Sequence, residues 1–187
     1  LLAALTGGAA PGAGAAEPTP VFRGVPHDML YAMSLDGDRG VAVGDFGLVV
    51  ETADGGKSWS RQAAIAGAPG LFGVVRKNGR CIAGGQMGLL LYAEDCRQWK
   101  TAPAVTNARI LAVAVNAAGT AYAVGGFGTL LRSADWGQTW QVQTPDWKAF
   151  SGDGAEPHLY DVHVADSGEV TVAGEFQGTA SWDGFTL

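Results

Sequence analysis

Two stretches 81 residues apart in this chain carry nearly the same wording. Val43-Gly44-Asp45-Phe46-Gly47 leads to Thr52-Ala53-Asp54-Gly55-Gly56-Lys57-Ser58-Trp59, and Val124-Gly125-Gly126-Phe127-Gly128 leads to Ser133-Ala134-Asp135-Trp136-Gly137-Gln138-Thr139-Trp140. A looser copy runs from Gly84-Gly85-Gln86-Met87-Gly88 to Glu94-Asp95-Cys96-Arg97-Gln98-Trp99, and a partial one from Gly174-Glu175-Phe176-Gln177-Gly178 to Ser181-Trp182-Asp183-Gly184. Each copy opens on a similar apolar run: Leu30-Tyr31-Ala32-Met33, Leu71-Phe72-Gly73-Val74, Leu111-Ala112-Val113-Ala114 and Leu159-Tyr160-Asp161-Val162. A period of about 40 residues made of short strand-like runs belongs to units that bury their faces against one another rather than to one closed core. The pattern predicts an all-β propeller of four-stranded antiparallel blades. About four blades are present, over residues 28–62, 70–102, 109–142 and 158–187, within a repeat region of 17–187.

One unit reads as strands over 30–35, 40–44, 47–52 and 58–63. Its middle strands are apolar on both faces, as in Leu48-Val49-Val50 and Leu89-Leu90-Leu91. A sheet with one face in water would alternate; blades stacked face to face would not. The glycine pairs 44 and 47, 85 and 88, 125 and 128 are expected to allow a tight hairpin with positive φ. In the turn that follows, Asp54 and Asp135 are placed to accept backbone N–H bonds. Gly56 and Gly137 relieve the bend, and Trp59 and Trp140 cover the hairpin with an indole. The second unit keeps Glu94 as its acid and Trp99, and the fourth keeps Ser181 and Asp183. Thr52 and Ser133 open the two full versions. Carboxylates occupied by their own turn are poor catalysts.

These runs resemble Asp-box, or bacterial neuraminidase (BNR), repeats. The fuller wording Ala42-Val43-Gly44-x-x-Gly47 … Thr52-x-Asp54-Gly55-Gly56-Lys57-Ser58-Trp59 resembles the photosystem II stability/assembly-factor family and its relatives in non-photosynthetic bacteria. The resemblance covers about residues 28–187, and it implies an exported propeller of six or seven blades that works as a binding or assembly factor with a protein or membrane-protein complex as partner. Four repeats then make this a truncated ring. The rival is a small four-bladed ring in which Val21-Phe22-Arg23-Gly24-Val25 supplies a strand missing from the last unit.

Composition narrows the function classes. A formal charge of -6 with no basic run argues against a nucleic-acid partner. No segment reaches the ~18 apolar residues of a membrane span. Residues 1–16 read as the remnant of a signal peptide, with Leu1–Leu5 closing an apolar stretch and Ala13-Gly14-Ala15-Ala16 offering small residues for cleavage. An Ala/Gly linker is the alternative. The expectation is a periplasmic or extracellular protein. Cys81 and Cys96 fit that compartment as a possible disulfide, worth about 3 kcal/mol for its loop length in the chain-entropy model; two unpaired buried thiols fit the spacing equally.

Asp boxes also occur in sialidases, so glycoside hydrolysis is a competing reading. Phe22-Arg23-Gly24-Val25-Pro26 resembles the Phe-Arg-Ile-Pro motif with one residue inserted, which makes Arg23 a candidate carboxylate clamp. Tyr160 and Glu175 are the nearest to the tyrosine and glutamate such an enzyme needs, but their context carries no family signature. His158 and His163 are an odd number apart on one strand and should face opposite sides, so no metal site is expected. No cofactor and no catalytic residue is assigned. The long link between Trp140 and Leu159 carries Trp147 and Phe150, candidate contacts for a protein partner if their rings do not pack back over the blade. An accessory role in an envelope transport system is a third reading.

Overall fold

The computed structural model describes residues 20, 24–63, 65–147 and 156–175, together with the backbone of 179–182. Arg23, Phe150, Asp183, the leader-like residues 1–16 and the side chain of Ser181 lie outside what is described. Among the described residues, fifteen strands form four antiparallel sheets in strict sequence order. The first holds β1 (Leu30–Asp36), β2 (Arg39–Gly44), β3 (Val49–Thr52) and β4 (Ser60–Arg61). The second holds β5 (Leu71–Lys77), β6 (Arg80–Gly85), β7 (Leu90–Ala93) and β8 (Lys100–Thr101). The third holds β9 (Ile110–Val115), β10 (Ala121–Gly125), β11 (Leu130–Ser133) and β12 (Gln141–Gln143). The fourth holds β13 (Leu159–Val164), β14 (Val170–Gly174) and β15 (Thr179–Trp182).

The sheets are blades, and their cores lie between them. Val41, Val43 and Val49 of the first blade pack on Leu71, Val74, Ala83 and Leu91 of the second. Ile82 and Leu90 of the second then meet Ile110, Val113, Ala123 and Leu131 of the third. Tyr122, Val124 and Leu130 of the third meet Leu159, Val162, Val170 and Val172 of the fourth. The second strand of a blade therefore buries both faces: all five residues of β10 are buried, as are the last five of β2 and of β6. At one repeat position, paired across to Ala42, Ala83, Ala123 and Val172, the residues are Met33, Val74, Val113 and Val162. The three valines are 7–8% exposed, whereas Met33, on the face of the first blade that no described blade covers, is 66% exposed.

The outermost strands are shorter than the sequence led us to expect. Residues 58 and 59 stay in the turn because Asp54 holds Ser58 by backbone N–H (2.9 Å) and hydroxyl (2.5 Å), and the Trp59 indole N–H donates to the Gly56 carbonyl (3.1 Å). The third blade repeats this with Thr139 N–H and hydroxyl on Asp135 (2.9 and 2.6 Å) and Trp140 on the Gly137 carbonyl (2.9 Å). Thr52 and Ser133 complete the turn by donating to the same carboxylates, at 2.7 Å each, and accepting the N–H of Gly56 and Gly137. In the second blade the acid is Asp95, not Glu94: Asp95 accepts the N–H of Arg97 and Gln98 (2.9 and 2.8 Å). That turn is one residue shorter before its tryptophan, and the Trp99 indole N–H is buried without a partner among the described residues. A disulfide joins Cys81 on β6 to Cys96 in the same turn, with the chain at Cys96 in the left-handed region (φ 61°).

Candidate functional site

Consecutive antiparallel strands put two kinds of connection at each end of a blade. The hairpins after the second strands and the links between blades share one end, the loop end. The turns after the first and third strands share the other. That other end is bonded to itself. Gly55 N–H donates to Asp38 O (2.8 Å) and Trp136 N–H to Gly119 O (3.0 Å). Arg97 grips Glu51 of the preceding blade through two bonds (3.1 and 2.8 Å), and Arg80 lies 4.9 Å from the Trp136 ring. Lys77 reaches Asp166 two blades away (3.0 Å), and the same carboxylate accepts the Ala117 N–H (2.8 Å).

The loop end is built differently. Its hairpins turn at Asp45-Phe46-Gly47, Gln86-Met87-Gly88 and Gly126-Phe127-Gly128. Glycines 47, 88 and 128 adopt positive φ as expected, but glycines 44 and 85 are extended (φ −163° and −157°). These two, with Gly125, serve close approach instead: a Cβ there would overlap the carbonyl oxygen of Met29, Gly70 or Arg109. Those carbonyls accept the N–H of Asp45, Gln86 and Gly126 (3.0, 3.0 and 3.1 Å), and His158 O accepts Glu175 N–H in the fourth blade (3.0 Å). The seam forces the tip residue outward. Phe46, Met87 and Phe127 all lie in the left-handed region (φ 51°, 56° and 54°) and are 80%, 77% and 70% exposed. Left-handed backbone is costly for ordinary side chains, and apolar side chains in water return nothing for it.

A second repeated feature lies just inside the tips. Each blade's first strand carries a bulge where Tyr31, Phe72, Leu111 or Tyr160 drops out of the pairing. A bulge re-aims one side chain. The Tyr31 and Phe72 rings are 5.2 Å apart, and the Arg109 guanidinium lies 5.3 Å from the Phe72 ring. Tyr31 donates to Asp45 (3.0 Å), and Tyr160 donates to Glu175 (2.7 Å) at the same repeat positions. Glu175 also accepts the His158 N–H (3.0 Å), and the His158 ring meets Phe127 edge to face at 4.9 Å. Between the second and third blades a cleft of about 590 Å³ is bordered by Gln86, Met87, Thr106, Arg109 and Phe127.

The tyrosine–carboxylate pairs bear on the sialidase comparison. Each carboxylate accepts a hydrogen bond from the phenol and so pushes the tyrosine above its ordinary value, through the hydrogen bond first and burial second. Glu175 is correspondingly held below the carboxylate range by Tyr160 and the His158 amide. A carboxylate accepting from a phenol is also how a base would face a tyrosine nucleophile, but here the pair recurs in two blades as a feature of the repeat. Trp147 packs against the cluster between the third and fourth blades, half-buried, with its indole nitrogen close over Gly128. It therefore supports a tip instead of standing out toward a partner. Phe46, Met87 and Phe127 hold equivalent places in three repeats, a signal already present in the sequence, but nothing in the sequence marks them as exposed.

No protein-family model and no curated protein matches this sequence. Solved structures match its fold. The structure described as YCF48 bound to D1 peptide superposes with a TM-score of 0.65 at 20% identity, over 85% of this chain and 51% of that one. YCF48 from Cyanidioschyzon merolae gives 0.62 at 19% identity, over 85% and 54%. An ancestral GH74 enzyme gives 0.58 at 10% identity, over 80% and 22%. The chain thus spans about half the length of the YCF48 structures it resembles, and the likeness is one of β-propeller fold.

Proposed function

We propose that this chain belongs to an exported, non-catalytic binding or assembly factor whose loop end takes a segment of a protein partner. The observation that carries the reading is the set of tips Phe46, Met87 and Phe127, held in unfavourable backbone conformation with their side chains in water. Folding gains little from Phe46 and Met87, and from Phe127 its ring contact with His158, whereas a contact surface gains three apolar anchors on a rigid frame. The opposite end is engaged by its own ion pairs and turn bonds. The likeness to YCF48 bound to D1 peptide supports a peptide-like ligand, and the Cys81–Cys96 disulfide supports an oxidising compartment. The glycosidase reading is the weaker one, because its tyrosine–glutamate pair recurs as Tyr31–Asp45 and behaves as part of the repeat.

The test is to pan the immobilised chain against a displayed library of random peptides. Enrichment of a common sequence pattern is expected, together with its loss in the triple variant Phe46→Ser/Met87→Ser/Phe127→Ser at unchanged melting temperature. Enrichment that survives the triple variant, or none at all, refutes the reading.

A further inference from the structure

The residue just before each blade's first strand recurs as Met29, Gly70, Arg109 and His158, with its carbonyl bonded to the following hairpin in every case. At the third blade that residue is Arg109, and its guanidinium covers the bulged ring of the blade before it, Phe72. At the second blade it is Gly70, which has no side chain to place over the preceding bulged ring, Tyr31. Tyr31 is accordingly 45% exposed. Beside it stands Asp45, whose Oδ2 accepts the Tyr31 hydroxyl while Oδ1 leans over Gly70; a Cβ on Gly70 would lie 2.9 Å from that oxygen and 3.4 Å from the Gln86 amide nitrogen. Asp45 Oδ1 accepts no hydrogen bond from a described residue. An aromatic face beside a carboxylate, at the place where the next repeat puts an arginine, is a receptor for a cation.

The charge of the surface points the same way. The described residues at the loop end include Asp28, Asp45, Asp146, Glu156 and Glu175 against Arg61 and Arg109, and Arg61 is already paired with Asp28. Resting on the peptide-binding reading above, we propose that the partner segment is basic, and that one of its lysine or arginine side chains seats on Tyr31 and Asp45 as Arg109 seats on Phe72. The apolar tips then take the residues flanking that cation. An acidic segment would meet a surface of its own sign.

The test uses the ¹⁵N-labelled chain and two small probes, N-acetyl-L-arginine amide and its uncharged isostere N-acetyl-L-citrulline amide. Arginine amide is expected to shift the amide signals of Tyr31, Asp45, Gly70 and Gln86, with affinity about tenfold above that of citrulline amide, since the charge-assisted bond and the cation–ring contact are both lost in the isostere. Asp45→Asn keeps an acceptor for Tyr31 and should remain folded, yet it should bring the two probes to within about twofold of each other. Equal affinities in the unaltered chain, or shifts that map away from these residues, overturn the proposal. Failure here with library enrichment intact would remove the basic-ligand assignment alone; loss of enrichment in the panning experiment would remove the reading beneath it.

Discussion

Replacing Phe46 by Asn should make the protein more stable, although it exchanges an aromatic residue for a polar one. Phe46 is 80% exposed, so removing the ring gives up little burial, and no ring of a described residue packs on it. Its backbone is left-handed (φ 51°), a conformation that Asn tolerates and Phe does not. The relief is about 0.5–1 kcal/mol, a fraction of the ~1–2 kcal/mol left-handed penalty. Met87→Asn should behave alike, being 77% exposed at φ 56°. Phe127→Asn should be nearly neutral, because its ring meets His158 at 4.9 Å and such a contact is worth about 0.5–1.5 kcal/mol. Urea titration reads the difference as a raised midpoint at unchanged slope, and calorimetry as a melting temperature higher by about 1–4 °C. Each stabilised variant should bind library-selected peptides less well. Destabilisation by Phe46→Asn and Met87→Asn would show that the tips serve the fold, and the argument from strain would fail.

Other perturbations test the frame. Removing the Cys81–Cys96 bridge by the double Ala variant should cost about 3 kcal/mol, or about 6–12 °C in melting temperature; equal melting of variant and parent would show that the bridge constrains nothing. Val113→Ala, 8% exposed between blades, should cost about 2 kcal/mol by chemical denaturation, whereas Met33→Ala, 66% exposed at the equivalent place, should cost under about 0.5 kcal/mol. Asp54 is held at about 2, chiefly by the Ser58 hydroxyl and then the Ser58 amide. A lowered carboxylate contributes stability above its unfolded value and loses it as pH falls through the folded one. Asp54→Asn should therefore be less stable than the parent at pH 7 and converge with it as pH drops from about 4 to about 2, followed by circular dichroism; a gap that persists at low pH would contradict the assigned role.

The blades were legible because their signal is periodic. Leu71, Ile110 and Leu159 are fully buried at one repeat position, and Val43 and Val124 at another, so a pattern of short apolar runs carried the architecture. The turn at Asp54 and Asp135 was legible because Thr52, Asp54, Ser58 and Trp59 each bond within a few residues of their own position. Asp95 was missed in favour of Glu94 because the second turn is one residue shorter, and spacing alone did not say which acid faced the bend. The binding face was largely illegible. Bulges at Tyr31, Phe72 and Tyr160 depend on pairing with the next strand, and the exposure of Phe46 depends on a seam with Met29, both properties of assembled sheets. An aromatic residue at a hairpin tip reads as core until the backbone shows that it points away.

The central claim is that partners meet the loop end of the blades. Its most direct test is the chemical-shift footprint, on the ¹⁵N-labelled chain, of a peptide selected from the library. The account predicts shifts concentrated at residues 45–47, 86–88 and 126–128 and in the links at 65–70 and 106–109. A footprint on the turns at 37–38, 78–79 and 117–119 would place the partner at the opposite end and contradict it.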